Sequence, residues 1–222
     1  ALYSATDGAN WTNNDGWDGG AAGTECSWHG VVCNSGGEVL VLSLELNGLS
    51  GSLPAELGLL AELRELRLHK NNLSGSIPAE LGQLTGLAYL YLHGNNFSGE
   101  IPAELGQLTG LGFLYLNDNN FIGEIPAELG QLTGLNRLYL HNNNLSGALP
   151  AELGSLTGLS RLYLYNNPSL AGVVPAGLIA LANLDLKITG TALSLSNDQY
   201  LALNALYSAT DGANWTNNDG WD

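Results

Sequence analysis

The chain has 222 residues, with 6 Lys and Arg against 21 Asp and Glu, and a formal net charge of −15. This charge repels phosphate backbones and anionic membrane surfaces, which argues against a nucleic acid partner. The longest apolar runs are only a few residues long, so the sequence predicts no membrane insertion. The length is sufficient for a continuous hydrophobic core.

Residues 1–38 are predicted to form a cap over one end of that core. Residues 205–222 repeat residues 1–18 letter for letter, so the two ends are copies of one element. We expect Trp11 and Trp17 to pack under the cap as large apolar anchors. The surrounding Asn, Asp and Gly residues favour turns. Asp15 and Asp18 are three residues apart and lack the late Glu that a calcium loop requires.

Residues 39–188 are predicted to be a stack of coils with a period of 24 residues. The leading leucine of each unit recurs in strict register at five positions: Leu63, Leu87, Leu111, Leu135 and Leu159. Leu66 and Leu68 have the two-residue spacing of a strand that points both side chains inward. We expect the asparagines that follow the strands to form a buried ladder, at Asn71, Asn95, Asn119, Asn143 and Asn167.

A short helical turn is predicted on the opposite side of each coil. Pro78 fits the first position of such a turn, and Glu80 lies near its positive end. No coil buries its leucines alone, so stability must come from stacking neighbours into a parallel sheet with helical turns outside it. The predicted fold is an α/β repeat solenoid that curves with its strands on the concave side.

The pattern L-x-x-L-x-L-x-x-N-x-L, continued by G-x-I-P, resembles the plant-type subclass of the extracellular leucine-rich repeat family. The stretch CSWHGVVC resembles the C-x-W-x-G-V-x-C element of the amino-terminal cap in that family. The resemblance implies that Cys26 and Cys33 form a disulfide and that the chain is extracellular, secreted or on a cell surface. A metal site that combines these cysteines with His29 is the alternative, although it offers only three ligands.

The carboxyl-terminal segment is predicted to lead into another unit. Residues 189–196 read as a linker or seal, and residues 197–222 as the start of a further cap. A helix capped near Ser196 or Asn197 is expected there, with Tyr200, Leu203, Leu206 and Tyr207 at helical spacing. The cap helix at Ala1 is then truncated at its start, and the expected partners are adjacent copies of the same domain, head to tail. Proteolytic release at Ala1 is the alternative.

The residues between the strand leucines face the concave side and form three columns along the solenoid. The first column is Glu65, Tyr89, Phe113, Arg137 and Arg161; the second is Arg67, Tyr91, Tyr115, Tyr139 and Tyr163; the third is His69, His93, Asn117, His141 and Tyr165.

Tyr and Arg are energetic residues at interfaces, so these columns, with Arg64, predict a binding surface for a protein, peptide or glycan. The alternative is that Tyr is simply a good strand residue that was duplicated with the repeat. Five of the six basic residues lie on this face, so the excess negative charge is expected elsewhere. His69 and His93 lie on adjacent coils and could share a metal ion, but Asn117 interrupts a regular site.

Other regular positions have less specific interpretations. A column of glutamates on the helical turns could gather calcium, although exposed helix-start residues are the simpler interpretation: Glu56, Glu80, Glu104, Glu128 and Glu152. No other cofactor is predicted. Sequons for N-glycosylation occur at Asn10, Asn72, Asn96, Asn144 and Asn214. A threonine column is the one feature in favour of ice binding: Thr85, Thr109, Thr133 and Thr157.

No nucleophile is expected beside a base and an orienting acid, so the sequence predicts a non-enzymatic protein. Two functions remain. The first is a structural or adhesive scaffold, in which tandem units build a surface layer or fibre. The alternative is a recognition ectodomain that binds one ligand on its concave face. The repeated tyrosines favour the first, because selection for one ligand usually diversifies such columns.

Overall fold

A computed structural model of the chain describes residues 1–20, 23–196, 198 and 199. The cap begins with the short helix α1, Leu2–Ala5, followed by 3₁₀ turns at Gly8–Asn10 and Glu25–Ser27. Strand β1, Val31–Cys33, pairs antiparallel with β2, Val39–Ser43, and this pairing joins the cap to the first coil. Trp11 is 5% exposed and packs edge-on against Trp17, as predicted.

Each coil then adds one strand to each of two parallel sheets. The strands that follow the cap are β3 (Ser50–Ser52), β4 (Glu65–Arg67), β5 (Asn72–Gly75), β6 (Tyr89–Tyr91), β7 (Asn96–Gly99), β8 (Phe113–Tyr115), β9 (Asn120–Gly123), β10 (Arg137–Tyr139), β11 (Asn144–Gly147), β12 (Arg161–Tyr163), β13 (Ser169–Val173), β14 (Asp185–Lys187) and β15 (Ala192–Ser194).

The first sheet has the order β1-β2-β4-β6-β8-β10-β12-β14, and it is the predicted concave sheet. The second sheet runs from β3 through the odd-numbered strands to β15, and the sequence analysis did not predict it. Its strands β5, β7, β9 and β11 each begin at the residue after a ladder asparagine, and Leu73, Phe97 and Phe121 point from the sheet into the core with no exposed surface. The last strand, β15, lies inside the segment 189–196 and pairs with β13 of the preceding coil.

The helical turns on the convex side are 3₁₀ turns in five coils: Ala55–Leu59, Ala79–Gln83, Ala103–Gln107, Ala127–Gln131 and Ala151–Ser155. In the last coil the helix α2, Ala176–Ile179, takes their place. Pro78 precedes its turn in an extended conformation, so its predicted place at the first helical position is wrong by one residue. A Cβ on Gly82 would lie 2.4 Å from the carbonyl oxygen of Glu104 in the next coil. Glycine therefore allows successive turns to stack closely.

The interior confirms the predicted leucine core and asparagine ladder. The repeating leucines have almost no exposed surface, and the five ladder asparagines are at most 8% exposed. Asn119 is typical: its Nδ2 donates to the carbonyls of Leu92 and Leu116, each at 3.1 Å, and its Oδ1 accepts from the backbone N–H of Phe97 at 3.0 Å. The ladder thus satisfies backbone groups that lie between the two sheets.

Beyond the last coil, Ser196 caps a helix as predicted. The backbone N–H of Ser196 donates to the side chain of Gln199 at 2.8 Å, and that of Gln199 donates back to Ser196 Oγ at 3.3 Å. This reciprocal pair is a capping box, and residues 198 and 199 are helical. Most of the predicted second cap, residues 200–222, lies outside the described residues. Within the described residues, no helix is long and apolar enough to cross a bilayer.

Candidate functional site

The concave sheet places the three columns side by side in exact register. Tyr91 pairs with Tyr115, Tyr115 with Tyr139, and Tyr139 with Tyr163 across parallel strands. Alternate residues of the same strands are fully buried leucines, as at Leu90, so every second side chain is turned outward. The candidate site follows from this alternation. The outward-facing side chains of the sheet form the surface, and the buried leucines on the opposite side of the sheet support it.

The second column is a continuous stack of tyrosine rings. The ring centroids of Tyr91 and Tyr115 are 4.7 Å apart, those of Tyr115 and Tyr139 are 4.4 Å apart, and those of Tyr139 and Tyr163 are 4.5 Å apart. The ring planes of the last two pairs are nearly parallel, at angles of 8° and 3°. Because the ring faces cover one another, the edges and hydroxyl groups are the parts presented to a ligand.

The first column carries two cations, Arg137 and Arg161. Tyr89 stacks on Phe113 at 5.1 Å, and the guanidinium of Arg137 lies 5.3 Å from the centre of the Phe113 ring. Arg137 donates to the Tyr115 hydroxyl at 3.4 Å, and Arg161 donates to that of Tyr139 at 3.5 Å. These long hydrogen bonds leave most of the guanidinium donors available.

The ends of the columns carry carboxylates. The Tyr163 hydroxyl donates to Asp185 at 2.7 Å, and this bond to a carboxylate raises the pKa of Tyr163 to about 12. Arg67 binds Glu65 at 2.6 Å, and Glu45 accepts from Ser43 at 2.6 Å. The expectation that negative charge lies away from this face is therefore wrong at its ends. Asp185 lies in a coil with a weaker repeat pattern, and it joins the first column because its strand pairs with the strand of Arg161.

The third column contains two stacked pairs. His69 and His93 have centroids 4.5 Å apart at an angle of 15°, and His141 stacks on Tyr165 at 4.2 Å. Desolvation by burial is the main cause that lowers the pKa of all three histidines, and the pKa of His93 falls to about 4. The rings are therefore neutral near pH 7. Asn117 lies between the pairs and is 6% exposed.

Sequence reasoning missed a fourth column beside the third. Its members take a left-handed backbone with φ near +56°, as at Lys70, Asp118, Asn142 and Asn166. Asn142 donates to Asp118, and Asn166 donates to Asn142 at 2.7 Å, so the side chains form an outer ladder. The signal was present in the repeat, because Asn, Asp and Gly are the residues that tolerate this conformation.

Arg64 is separated from these columns. It precedes β4, and its guanidinium bonds Glu62 at 3.2 Å and the carbonyl oxygen of Gly86 at 3.3 Å. The residue therefore lies at the margin of the sheet, where the chain enters the strand. The residues of the three columns themselves lie on the concave sheet or directly after its strands, where the register predicted them.

The remaining candidate positions are distributed over other faces. Cys26 and Cys33 are joined by a disulfide, with Cα atoms 5.5 Å apart, as the resemblance implied. The five glutamates of the convex column are exposed, as are the four threonines and the sequon residues Asn10, Asn72, Asn96 and Asn144. Asn214 lies outside the described residues. Across the described ranges, no three His, Cys, Asp or Glu residues are placed to hold a metal ion.

Comparisons with known proteins agree with this geometry. A sequence profile described as "Leucine-rich repeat region" matches residues 37–185. The structure of Pollen Receptor Kinase 3 is 34% identical, with a TM-score of 0.75, and covers 88% of this chain and 96% of its own. PEPR1 bound to AtPEP1 is 32% identical, with a TM-score of 0.72, over 86% of this chain. The plant peptide hormone receptor RGFR1, bound to RGF2, is 40% identical, with a TM-score of 0.69, over 76%.

The matched proteins differ greatly in length. The chain spans 31% of the PEPR1 chain and 26% of the RGFR1 chain. A curated relative, a probable LRR receptor-like serine/threonine-protein kinase of Arabidopsis thaliana, is 49% identical over 41 residues, which is 18% of this chain and 5% of that protein. The repeat pattern, the disulfide-bonded cap and these matches lead to one conclusion. The chain belongs to the leucine-rich repeat family, as an extracellular domain of the plant type.

Proposed function

We propose that this chain is a recognition module that binds a peptide or an extended protein segment along its concave face. The proposal selects the recognition hypothesis over the scaffold hypothesis. The observation that carries it is the position of the buried polar side-chain atoms that have no hydrogen-bond partner within the described residues. These atoms are Nδ1 of His69, His93 and His141, Oδ1 of Asn117 and Nε of Arg137.

All five atoms belong to the first and third columns. A buried polar atom without a partner costs about 1–3 kcal/mol, and folded proteins tolerate few of them. Their concentration on one face supports a surface whose hydrogen bonds are completed by a bound polar chain. A peptide backbone supplies both donors and acceptors, which matches neutral imidazoles and a carboxamide.

The cations of the first column favour an acidic group in the ligand. In the described part of the chain, Arg64, Arg67 and Lys187 each form an ion pair, whereas Arg137 and Arg161 contact no carboxylate. The two arginines pair across adjacent coils, and the Arg137 guanidinium lies above the Phe113 ring. In a chain of net charge −15, this pair is a local site for a carboxylate.

The proteins whose structures match this chain provide independent support. RGFR1 is described as a plant peptide hormone receptor in complex with RGF2, and the ectodomain of the Arabidopsis receptor kinase HAESA was solved with a peptide hormone ligand. These ligands belong to those proteins. For this chain they favour a peptide partner over adhesion, and the tandem scaffold, ice binding and the absence of catalysis remain predictions.

The test uses short synthetic peptides selected from a random library against the whole chain. We expect the selected peptides to contain an acidic residue and to lose affinity roughly tenfold or more for Tyr115→Ala combined with Tyr139→Ala. Arg137→Gln should weaken acidic peptides and leave peptides in which Gln replaces the acidic residue unchanged. Titration calorimetry provides the measurement.

The matched control is Glu104→Gln on the convex face, which should leave the affinity unchanged. Equal losses for the concave and convex variants, or peptides that bind the double tyrosine variant as well as the parent chain, would contradict the proposal. Circular dichroism confirms that each variant is folded.

A further inference from the structure

The amino-terminal end of the solenoid carries an open apolar pocket that the concave face does not use. Its volume is about 170 Å³, and its lining includes Ala1, Leu2, Trp17, Trp28 and Leu57. Trp17 and Trp28 are packed ring to ring at 5.0 Å and remain partly exposed. A pocket of this composition is stabilised when another apolar side chain enters it.

Helix α1 beside the pocket is firmly held at its end and has no side-chain cap at its start. Thr6 closes the helix by donating from its backbone and its hydroxyl to the carbonyl of Leu2, at 3.0 and 2.8 Å. Trp11 then donates to the carbonyl of Thr6 at 2.8 Å. Ala1 stands at the start with no side-chain hydrogen bond. A helix of four residues is too short to be stable by itself.

The opposite end of the chain shows a helix start. The capping box of Ser196 and Gln199 begins it, and Gln199 Nε2 also donates to the carbonyl oxygen of Val174 in the last coil, at 3.4 Å. The sequence that follows, from residue 198, is DQYLALN, and then come the residues that repeat Ala1 onward. The structure therefore shows the start of this sequence element after the last coil, and the end of the same element in the cap as helix α1.

We propose that these are the two ends of one helix that joins consecutive units, and that the segment DQYLALN of one unit fills the cap pocket of the next. Leu203 is three residues before Leu206, the counterpart of Leu2. Residues three apart lie on one face of a helix, so this leucine enters the pocket beside Leu2. Residues 200–222 lie outside the described part of the chain, and the proposal rests there on the identity of residues 205–222 with residues 1–18.

The consequence is a rigid joint. A continuous helix from residue 197 to the counterpart of Ala5 would have about 13 residues and a length of about 20 Å, and this stretch of sequence contains neither Gly nor Pro. It is anchored to one unit through Gln199 and to the next through Leu2 and Thr6. Successive units then keep a fixed relative orientation, unlike domains joined by a flexible Gly-Ser linker.

The first test adds DQYLALN before Ala1 of the full chain. Burial of the second added leucine, the counterpart of Leu203, should raise Tm by about 3–8 °C relative to the parent chain, and should shift the tryptophan emission to shorter wavelength as Trp17 and Trp28 lose contact with water. The control is the same extension with Ser in place of that second leucine, which should recover less than half of the gain.

An extension that leaves Tm and emission unchanged overturns the proposal. Equal gains from the leucine and serine extensions overturn it too, because the pocket is then not what the extension fills. Neither readout involves a ligand, so this result is independent of peptide binding on the concave face.

A second test uses two units in tandem, with residues 1–204 followed by 1–222. Small-angle scattering should give one defined separation between the units, and a flexible Gly-Ser insertion between Asn204 and Ala205 should broaden the distribution of separations. Equal distributions for the two chains would show that the joint is flexible and would contradict a continuous helix.

Discussion

Asn117 and Asn119 are two residues apart and almost equally buried, at 6% and 8% exposed, yet within the described residues only Asn119 has a hydrogen-bond partner for its amide oxygen, while the Asn117 amide nitrogen donates to Asp118. Asn119 belongs to the inner ladder, and both its Nδ2 and its Oδ1 are hydrogen-bonded to backbone groups, which come from two adjacent coils. Asn117 belongs to the third column of the concave face, and its Oδ1 has no partner in the described structure. The inner residue, Asn119, satisfies backbone hydrogen-bonding groups of the fold. The outer residue, Asn117, has an amide oxygen that can still accept a hydrogen bond from a ligand.

The same contrast extends along the whole solenoid. Inward-facing positions repeat the same residue in coil after coil, since each must fit the coil before and after it. Concave positions vary between Tyr, His, Asn and Arg, and the unpartnered polar atoms of the described residues occur there. Each of the following predictions tests a part of this difference.

The largest effect is expected for Asn119→Ala. The substitution leaves the buried Phe97 N–H without its partner and removes one of the two asparagine donors from each of the carbonyl oxygens of Leu92 and Leu116, and should lower the free energy of unfolding by about 3 kcal/mol. Asn117→Ala is the matched control and should cost less than about 1 kcal/mol. Urea denaturation measures both, and equal costs would remove the distinction between ladder and face.

The second effect is expected in the cap. Cys26→Ser combined with Cys33→Ser opens a loop with a sequence separation of 7 residues and should destabilise the cap by about 2 kcal/mol. Hydrogen exchange should speed up in β1 and β2 and remain unchanged in the central coils, because neighbouring coils support them. Uniformly faster exchange would show that the cap and the coils unfold as one unit.

A smaller effect is expected for the tyrosine stack. Tyr139→Ala removes ring contacts at 4.4 and 4.5 Å and should cost about 1 kcal/mol, whereas Tyr139→Phe keeps the rings and should be nearly neutral. Thermal unfolding of the two variants measures this. A neutral Ala variant would mean that the stack contributes only to recognition.

The smallest effect concerns pH. Burial, followed by the neighbouring His69, lowers the pKa of His93 to about 4, while Asp118 acts in the opposite direction. An unfolded chain binds a proton near pH 6.5 and the folded chain does not, so stability should fall as pH decreases from about 6.5 to 4. Lowering the pH from 7 to 5 should cost up to about 1 kcal/mol at this site after allowance for solvent screening.

His93→Asn supplies the control, because Asn occupies the same column at Asn117 and does not titrate. The variant should lose less stability than the parent chain over that pH range in urea denaturation. An identical pH dependence would assign the effect to His69 or His141, whose pKa values are also lowered by burial.

The sequence by itself determined the periodic part of this protein. A strict period of 24 residues identifies which side chains face inward, because only residues that fit their copies in neighbouring coils repeat so regularly. The leucine core, the asparagine ladder and the order of the three concave columns follow from that register. The cap disulfide came from the resemblance of one short motif around Cys26 and Cys33.

Tertiary structure decided the features that depend on contacts between coils. The second sheet consists of strands of three to five residues, whose pairing becomes visible only when the coils are stacked. Asp185 joins the first column through strand pairing, and Arg64 is turned to Glu62 and Gly86 at the margin. Which polar atoms keep a partner is likewise a property of packing. A repeat determines which residues are equivalent, and only the stacked coils determine what each residue touches.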